Sequence, residues 1–151
     1  MAYVDSHSVR VDATPDQVWH TVLHLGGDER LWVPRELWRA RGRVERLVGG
    51  PGHRIQGPGR ALEVGDEMDF WKVLEVHPPT RLRLRALSLL PGTALLDIEV
   101  AADGATSLLT LRTTFEPAGL PGHLFWWAEL PAHRVVFGMV TRRLGSLVTS
   151  G

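Results

Sequence analysis

Three segments between residues 81 and 116 alternate apolar and polar side chains, and that period of two constrains this chain more than any other feature. In residues 81–89, Leu82, Leu84 and Ala86 share one face while Arg81, Arg83 and Arg85 share the other. In residues 94–101, Leu96, Ile98 and Val100 stand opposite Asp97 and Glu99. In residues 106–116, Leu109, Leu111, Thr113 and Phe115 stand opposite Thr110, Arg112 and Thr114. Residues 67–77 read as a further strand, and Pro78-Pro79-Thr80, Pro91-Gly92 and Asp103-Gly104 read as the turns between them. Four hairpin-linked strands of this kind predict an antiparallel meander with one apolar face and one face in water. The Arg row and the Asp97/Glu99 row fall on the same outer face, where they pair across strands as a solvated surface.

The apolar face needs a cover. Trp126, Leu130, His133, Phe137, Val140, Leu144 and Leu147 recur at steps of three and four, one stripe of a helix. Pro131 predicts a kink or interruption near residues 127–131, leaving a helix over about residues 132–148. At the other end Tyr3–Val11 reads as a first strand carrying Val4, Val9 and Val11, with a slip near Ser6 and His7 that suggests a bulge. Thr14-Pro15-Asp16-Gln17 is a capping box that starts a helix through Val18, Trp19, Val22 and Leu25, stopped by Gly26-Gly27. Residues 28–32 read as a short helical turn. Residues 35–48 read as a helix with Arg35, Arg39, Arg43 and Arg46 on its wet face, and residues 49–65 as a long Gly- and Pro-rich loop. The expectation is α+β, one domain over residues 1–151, with a curved antiparallel sheet around a long C-terminal helix.

Composition narrows the partners. Lys+Arg and Asp+Glu are equal at 17 each, so the basic excess of a nucleic-acid binder is missing. There is no cysteine, hence no disulfide, thiol nucleophile or Cys-ligated metal. His20 and His24 lie four apart on a helix, but no carboxylate motif accompanies them, and neither a metal nor a cofactor is expected. The glycines at 49, 50, 52, 57 and 59 are followed by no G-K-[ST], so they form no phosphate loop. Residues 1–10 lack the apolar run of a signal peptide, and no stretch approaches 18 apolar residues; the expected setting is cytoplasmic, as a monomer or homodimer.

Strand, short helices, meander and long C-terminal helix together resemble the helix-grip arrangement of the START-like superfamily, which includes birch-pollen-allergen-like proteins, lipid-transfer domains and bacterial polyketide aromatase/cyclases. The opening Val9-Arg10-Val11-Asp12-Ala13-Thr14-Pro15 with Val18-Trp19 is similar to the start of that superfamily. The chain more closely resembles an uncharacterised bacterial family within it, found alone or attached to Rossmann-type nucleotide-binding domains. The matching segments are Asp69-Phe70-Trp71-Lys72-Val73-Leu74-Glu75-Val76, Arg81-Leu82-Arg83-Leu84-Arg85-Ala86, Leu90-Pro91-Gly92, Phe115-Glu116-Pro117 with Gly119-Leu120, and Trp126-Trp127-Ala128-Glu129-Leu130-Pro131-Ala132-His133-Arg134. It covers roughly residues 35–145, and the chain departs from the expected apolar residues at Glu129 and Ala132. The resemblance implies a ligand cavity and carries over no catalytic residue.

Inward alternation of strands against one helical stripe predicts a cavity lined by Phe70, Leu84, Ile98, Leu111, Trp126, His133 and Phe137. Three residues are candidates for chemistry. Glu129 and His133 are four apart and share a helix side; they form either an acid/base pair or separate groups, His133 bonding backbone freed by Pro131 and Glu129 at a wet mouth. Lys72 is the third: it faces inward if Phe70, Leu74 and Val76 do, and outward if a bulge lies at residues 69–71. The six tryptophans suit both core packing and an aromatic-lined pocket. Binding of a hydrophobic, lipid- or polyketide-like small molecule is the leading expectation. A polyketide cyclase/aromatase-type enzyme is the first alternative, and an interaction module partnering a nucleotide-binding protein the second.

Overall fold

A computed structural model describes residues 2–24, 60–68, 71–87 and 90–150. The expected helix at 35–48, the turn at 28–32, the Gly26-Gly27 stop, most of the 49–65 loop, Trp32, Trp38 and Phe70 lie outside the described residues. The described elements are β1 (Tyr3–Val11), α1 (Pro15–Leu23), β2 (Glu67–Met68), β3 (Trp71–His77), β4 (Arg81–Ala86), β5 (Gly92–Asp103), β6 (Thr106–Pro117) and α2 (Gly119–Ser150). The strands form one sheet in the order β1-β6-β5-β4-β3-β2, with every neighbouring pair antiparallel. This is the α+β helix-grip architecture.

The local causes are those read from the residues. Thr14 caps α1: its hydroxyl accepts from the Gln17 N–H, and the Gln17 side chain accepts from the Thr14 N–H. Gly104 takes φ +62° in the β5–β6 turn, a conformation open to glycine at no steric cost. On the outer face Asp97 accepts from Arg83 Nε at 2.8 Å and from its terminal nitrogen at 3.0 Å, a two-pronged pairing across β4 and β5. Arg112 pairs with Glu99, and Arg81 reaches Glu75 at 3.1 Å. Arg81, Arg83 and Arg112 are therefore paired across the outer face, although Asp97 is buried beneath Arg83 rather than solvated as expected.

The inner face carries the core. Leu82, Leu84, Leu96, Ile98, Leu109 and Leu111 are fully buried there, with Val18, Trp19 and Val22 of α1 and Val140 and Leu144 of α2 in the same cluster. The helix α2 lies against β1 and β6, and α1 against β5, β6 and α2.

Two expectations change. The strand β1 has no bulge: its pairing runs from Tyr3↔Phe115 to Val11↔Ser107 without a shift, which leaves Val4 exposed and turns Asp5 and His7 inward. The helix α2 is not confined to residues 132–148; it spans Gly119–Ser150 with Pro131 inside. A proline removes one N–H, and Pro131 sits on the solvent side beside an exposed Trp127, whose carbonyl is the one freed and can be solvated there.

The N-terminal part of α2 is set tightly on the turn before β5. A Cβ at Gly122 would run into the Pro91 carbonyl oxygen and approach Pro117 Cβ at 2.7 Å. A Cβ at Gly138 would meet nothing nearer than His7 Nδ1 at 3.7 Å. Gly122→Ala should therefore destabilise by about 1–3 kcal/mol through overpacking, while Gly138→Ala should stabilise by about 0.5–1 kcal/mol through helix propensity. Urea unfolding midpoints check both, and similar shifts of one sign would contradict the packing described.

Candidate functional site

Strand parity puts Tyr3, Asp5, His7, Val9 and Val11 on the side of β1 that meets α2. Asp5 is paired with Thr113 of β6, so its carboxylate enters the helix–sheet interface beside a hydroxyl. The Thr113 hydroxyl donates to the Asp5 backbone carbonyl at 3.2 Å and lies 2.8 Å from His133 Nε2 on α2. A hydroxyl has one proton; with that proton on the Asp5 carbonyl, its oxygen accepts from the Nε2–H of His133. The same Nε2 is 3.6 Å from Asp5 Oδ2, and that oxygen accepts from His7 Nε2 at 2.9 Å. One carboxylate thus stands between two imidazoles, with Thr113 fixing the ring of the second.

Aromatic rings frame this cluster. The His133 ring lies 5.2 Å from Trp126 and 4.5 Å from Phe137, centroid to centroid. Trp126 in turn stacks on Tyr3 at 5.3 Å and on Phe115 at 6.0 Å, and the Tyr3 hydroxyl is hydrogen-bonded to His123 Nδ1 at 2.6 Å. The helix is closed on the sheet at Trp126 and again at Val140, Thr141, Leu144 and Gly145. Between those ends Glu129, Leu130, His133, Val136 and Phe137 are all half-buried. The side chains of Asp5, His7 and His133 keep 14%, 23% and 17% of their surface exposed, so the cluster is not sealed in the core.

Leu84, Ile98 and Leu111 are fully buried on the inner face, Trp126 is buried in the stack, and His133 and Phe137 sit together. Phe70 lies outside the described residues. Lys72 is exposed, set between buried Trp71 and Val73; the register irregularity of β3 falls between Val73 and Glu75, beyond it. Strand phase thus directs Lys72 away from the inner face. Among the described residues His133 is held by Thr113 and Asp5, rather than by Glu129 or by backbone freed at Pro131. The bonding of Asp5, His7 and Thr113 was not anticipated from sequence, although parity counted back from Val9 and Val11 finds the first two. Trp127 is 62% exposed against 6% for Trp126, so the two adjacent indoles do not form one patch. No group of three or more His, Asp or Glu among the described residues is arranged to hold a metal ion.

Burial pushes the His133 imidazole below its ordinary value near 6.5; His7 and Arg134 act in the same direction, and Asp5 opposes them. The folded protein therefore holds His133 neutral, and the unfolded chain binds that proton more readily. Its contribution to stability is complete above about pH 6.5 and is lost as pH falls through the depressed value. Between about pH 7.5 and about pH 5, the melting temperature of the wild type should fall more steeply than that of His133→Gln. Parallel profiles would contradict this assignment.

Structures similar to this one carry the same architecture. Norcoclaurine synthase from Thalictrum flavum, solved in complex with dopamine and hydroxybenzaldehyde, aligns with a TM-score of 0.58 at 13% identity, covering 99% of this chain and 88% of that one. A protein from Nitrosospira multiformis aligns with a TM-score of 0.62 at 12% identity, covering 95% and 94%. DynU16, from the dynemicin biosynthetic locus, aligns with a TM-score of 0.51 at 19% identity, covering 93% of this chain and 46% of that one. At such identities the likeness is one of fold. A search of curated proteins by sequence finds no match. A family model does match over residues 1–140, and the chain belongs to the family described as "Protein of unknown function (DUF2867)".

Proposed function

We propose that the protein binds a hydrophobic small molecule, lipid- or polyketide-like, between the inner face of its sheet and α2. The observation that carries this reading is the burial profile of α2: closed on the sheet at both ends, half-open from Glu129 to Phe137. Trp126 and Phe137 lie on either side of the His133 ring in this stretch, and aromatic side chains with a few convergent polar groups are what a small-molecule site needs, which supports the reading. The similar fold of norcoclaurine synthase holds two small aromatic molecules, which supports the same use of the architecture here.

A second reading, an enzyme of the polyketide cyclase or aromatase type, is favoured by one observation. The His133 imidazole has the Asp5 carboxylate 3.6 Å from its Nε2, and burial favours its neutral form, an arrangement that suits a general base. The binding reading requires only the opening; the catalytic one requires in addition that His133 meet a substrate proton.

The neutral fluorophore N-phenyl-1-naphthylamine tests the binding reading. Its emission should rise and saturate at one probe per chain, and Val136→Trp, which adds bulk in the half-open stretch of α2, should weaken binding about tenfold or more. Folded wild type that leaves the emission unchanged would refute the reading.

A further inference from the structure

The polar groups between α2 and β1 are unusual for their place. An inward strand face is normally apolar, yet positions 5 and 7 carry a carboxylate and an imidazole, and α2 brings a second imidazole to meet them. Packing does not require them, since Val9 and Val11 fill the equivalent inward positions further along the strand. The hydrogen bonds among them are directional: Thr113 and Asp5 engage Nε2 of His133, so its Nδ1 is the nitrogen left to accept. Among the described residues nothing bonds that Nδ1, and the ring lies beside both Trp126 and Phe137.

We infer that His133, held by Thr113 and Asp5, is the polar anchor of the binding site and accepts a hydrogen bond from the hydroxyl of an aromatic alcohol. The inference rests on the pocket reading above and names the ligand class. An aromatic body suits a neighbourhood that already holds an indole and a phenyl ring. A phenolic O–H is the matching donor for an imidazole nitrogen whose opposite N–H is already committed. A carboxylate ligand is disfavoured twice, because it offers no proton and brings a second negative charge toward Asp5. The other charged or titratable groups around the ring are His7 on β1 and Glu129 and Arg134 on α2; of these, His7 and Arg134 oppose a positive charge on His133. With His133 neutral, the anchor is an acceptor near neutral pH and loses that capacity when protonated.

Isothermal titration of the full chain with 2-naphthol, naphthalene and 2-naphthoate tests the inference at about pH 7.5. The wild type should bind 2-naphthol about tenfold more tightly than naphthalene, the worth of one well-placed hydrogen bond, and 2-naphthoate most weakly. His133→Phe should keep naphthalene affinity and erase the preference for the alcohol. Thr113→Val retains the imidazole while removing the hydroxyl that holds it, and should reduce the preference severalfold. Equal affinities for naphthol and naphthalene, or a preference that survives His133→Phe, would overturn the inference and leave the pocket reading standing. Failure of every probe to bind would remove the pocket reading, and the anchor with it.

Discussion

The unbroken pairing of β1 with β6 is the constraint on which the site depends. Nine consecutive residues pair from Tyr3 to Val11 with no shift in register. Because strand side chains alternate, a single slip would send Asp5 and His7 to solvent and bring Val4, Ser6 and Ser8 inside. The observed register costs the desolvation of a carboxylate and an imidazole, which hydrogen bonding offsets: His7 donates to Asp5, and the Asp5 carbonyl takes the Thr113 proton. The network draws on both sides of the interface, Asp5, His7 and Thr113 from the sheet and His133 from the helix. A network of that kind resists slippage of α2 along the sheet as well as slippage of β1.

The two ends of α2 are fixed by different means. Near its start Trp126 stacks on Tyr3 and Phe115, while Gly122 lets the backbone approach the Pro91–Pro117 corner. Near its end Val140 and Leu144 are buried in the core shared with α1. A stiff helix held at two places can remain open between them without loss of order. From Glu129 to Phe137 the side chains that face the sheet are half-buried, so under the proposed reading a ligand would enter by side-chain rotation there rather than by unfolding.

Much of the fold was legible because its strands obey a simple rule. The alternations at Leu82/Leu84, Leu96/Ile98 and Leu109/Leu111 named the inner face correctly, and Arg83 and Asp97 named the outer one. The capping box at Thr14 named the start of α1. The candidate site was less legible, since reading a face by hydrophobicity presumes that inward means apolar. In β1 the inward face carries Tyr3, Asp5 and His7 before Val9 and Val11, so the rule fails where polar groups replace apolar ones. His133 was found on the helical stripe, but its partners come from strands over a hundred and twenty and twenty residues away, a proximity no local pattern encodes. Pro131 misled for a related reason: the cost of a proline depends on whether the freed carbonyl meets water, which is a tertiary fact.

Native mass spectrometry of the protein, purified gently from the organism that makes it, tests the central claim most directly. The account predicts a population carrying one small apolar molecule per chain, released on denaturation and identifiable by its mass. A bare chain that also takes up nothing from a mixture of neutral aromatic and lipid-like compounds would contradict it.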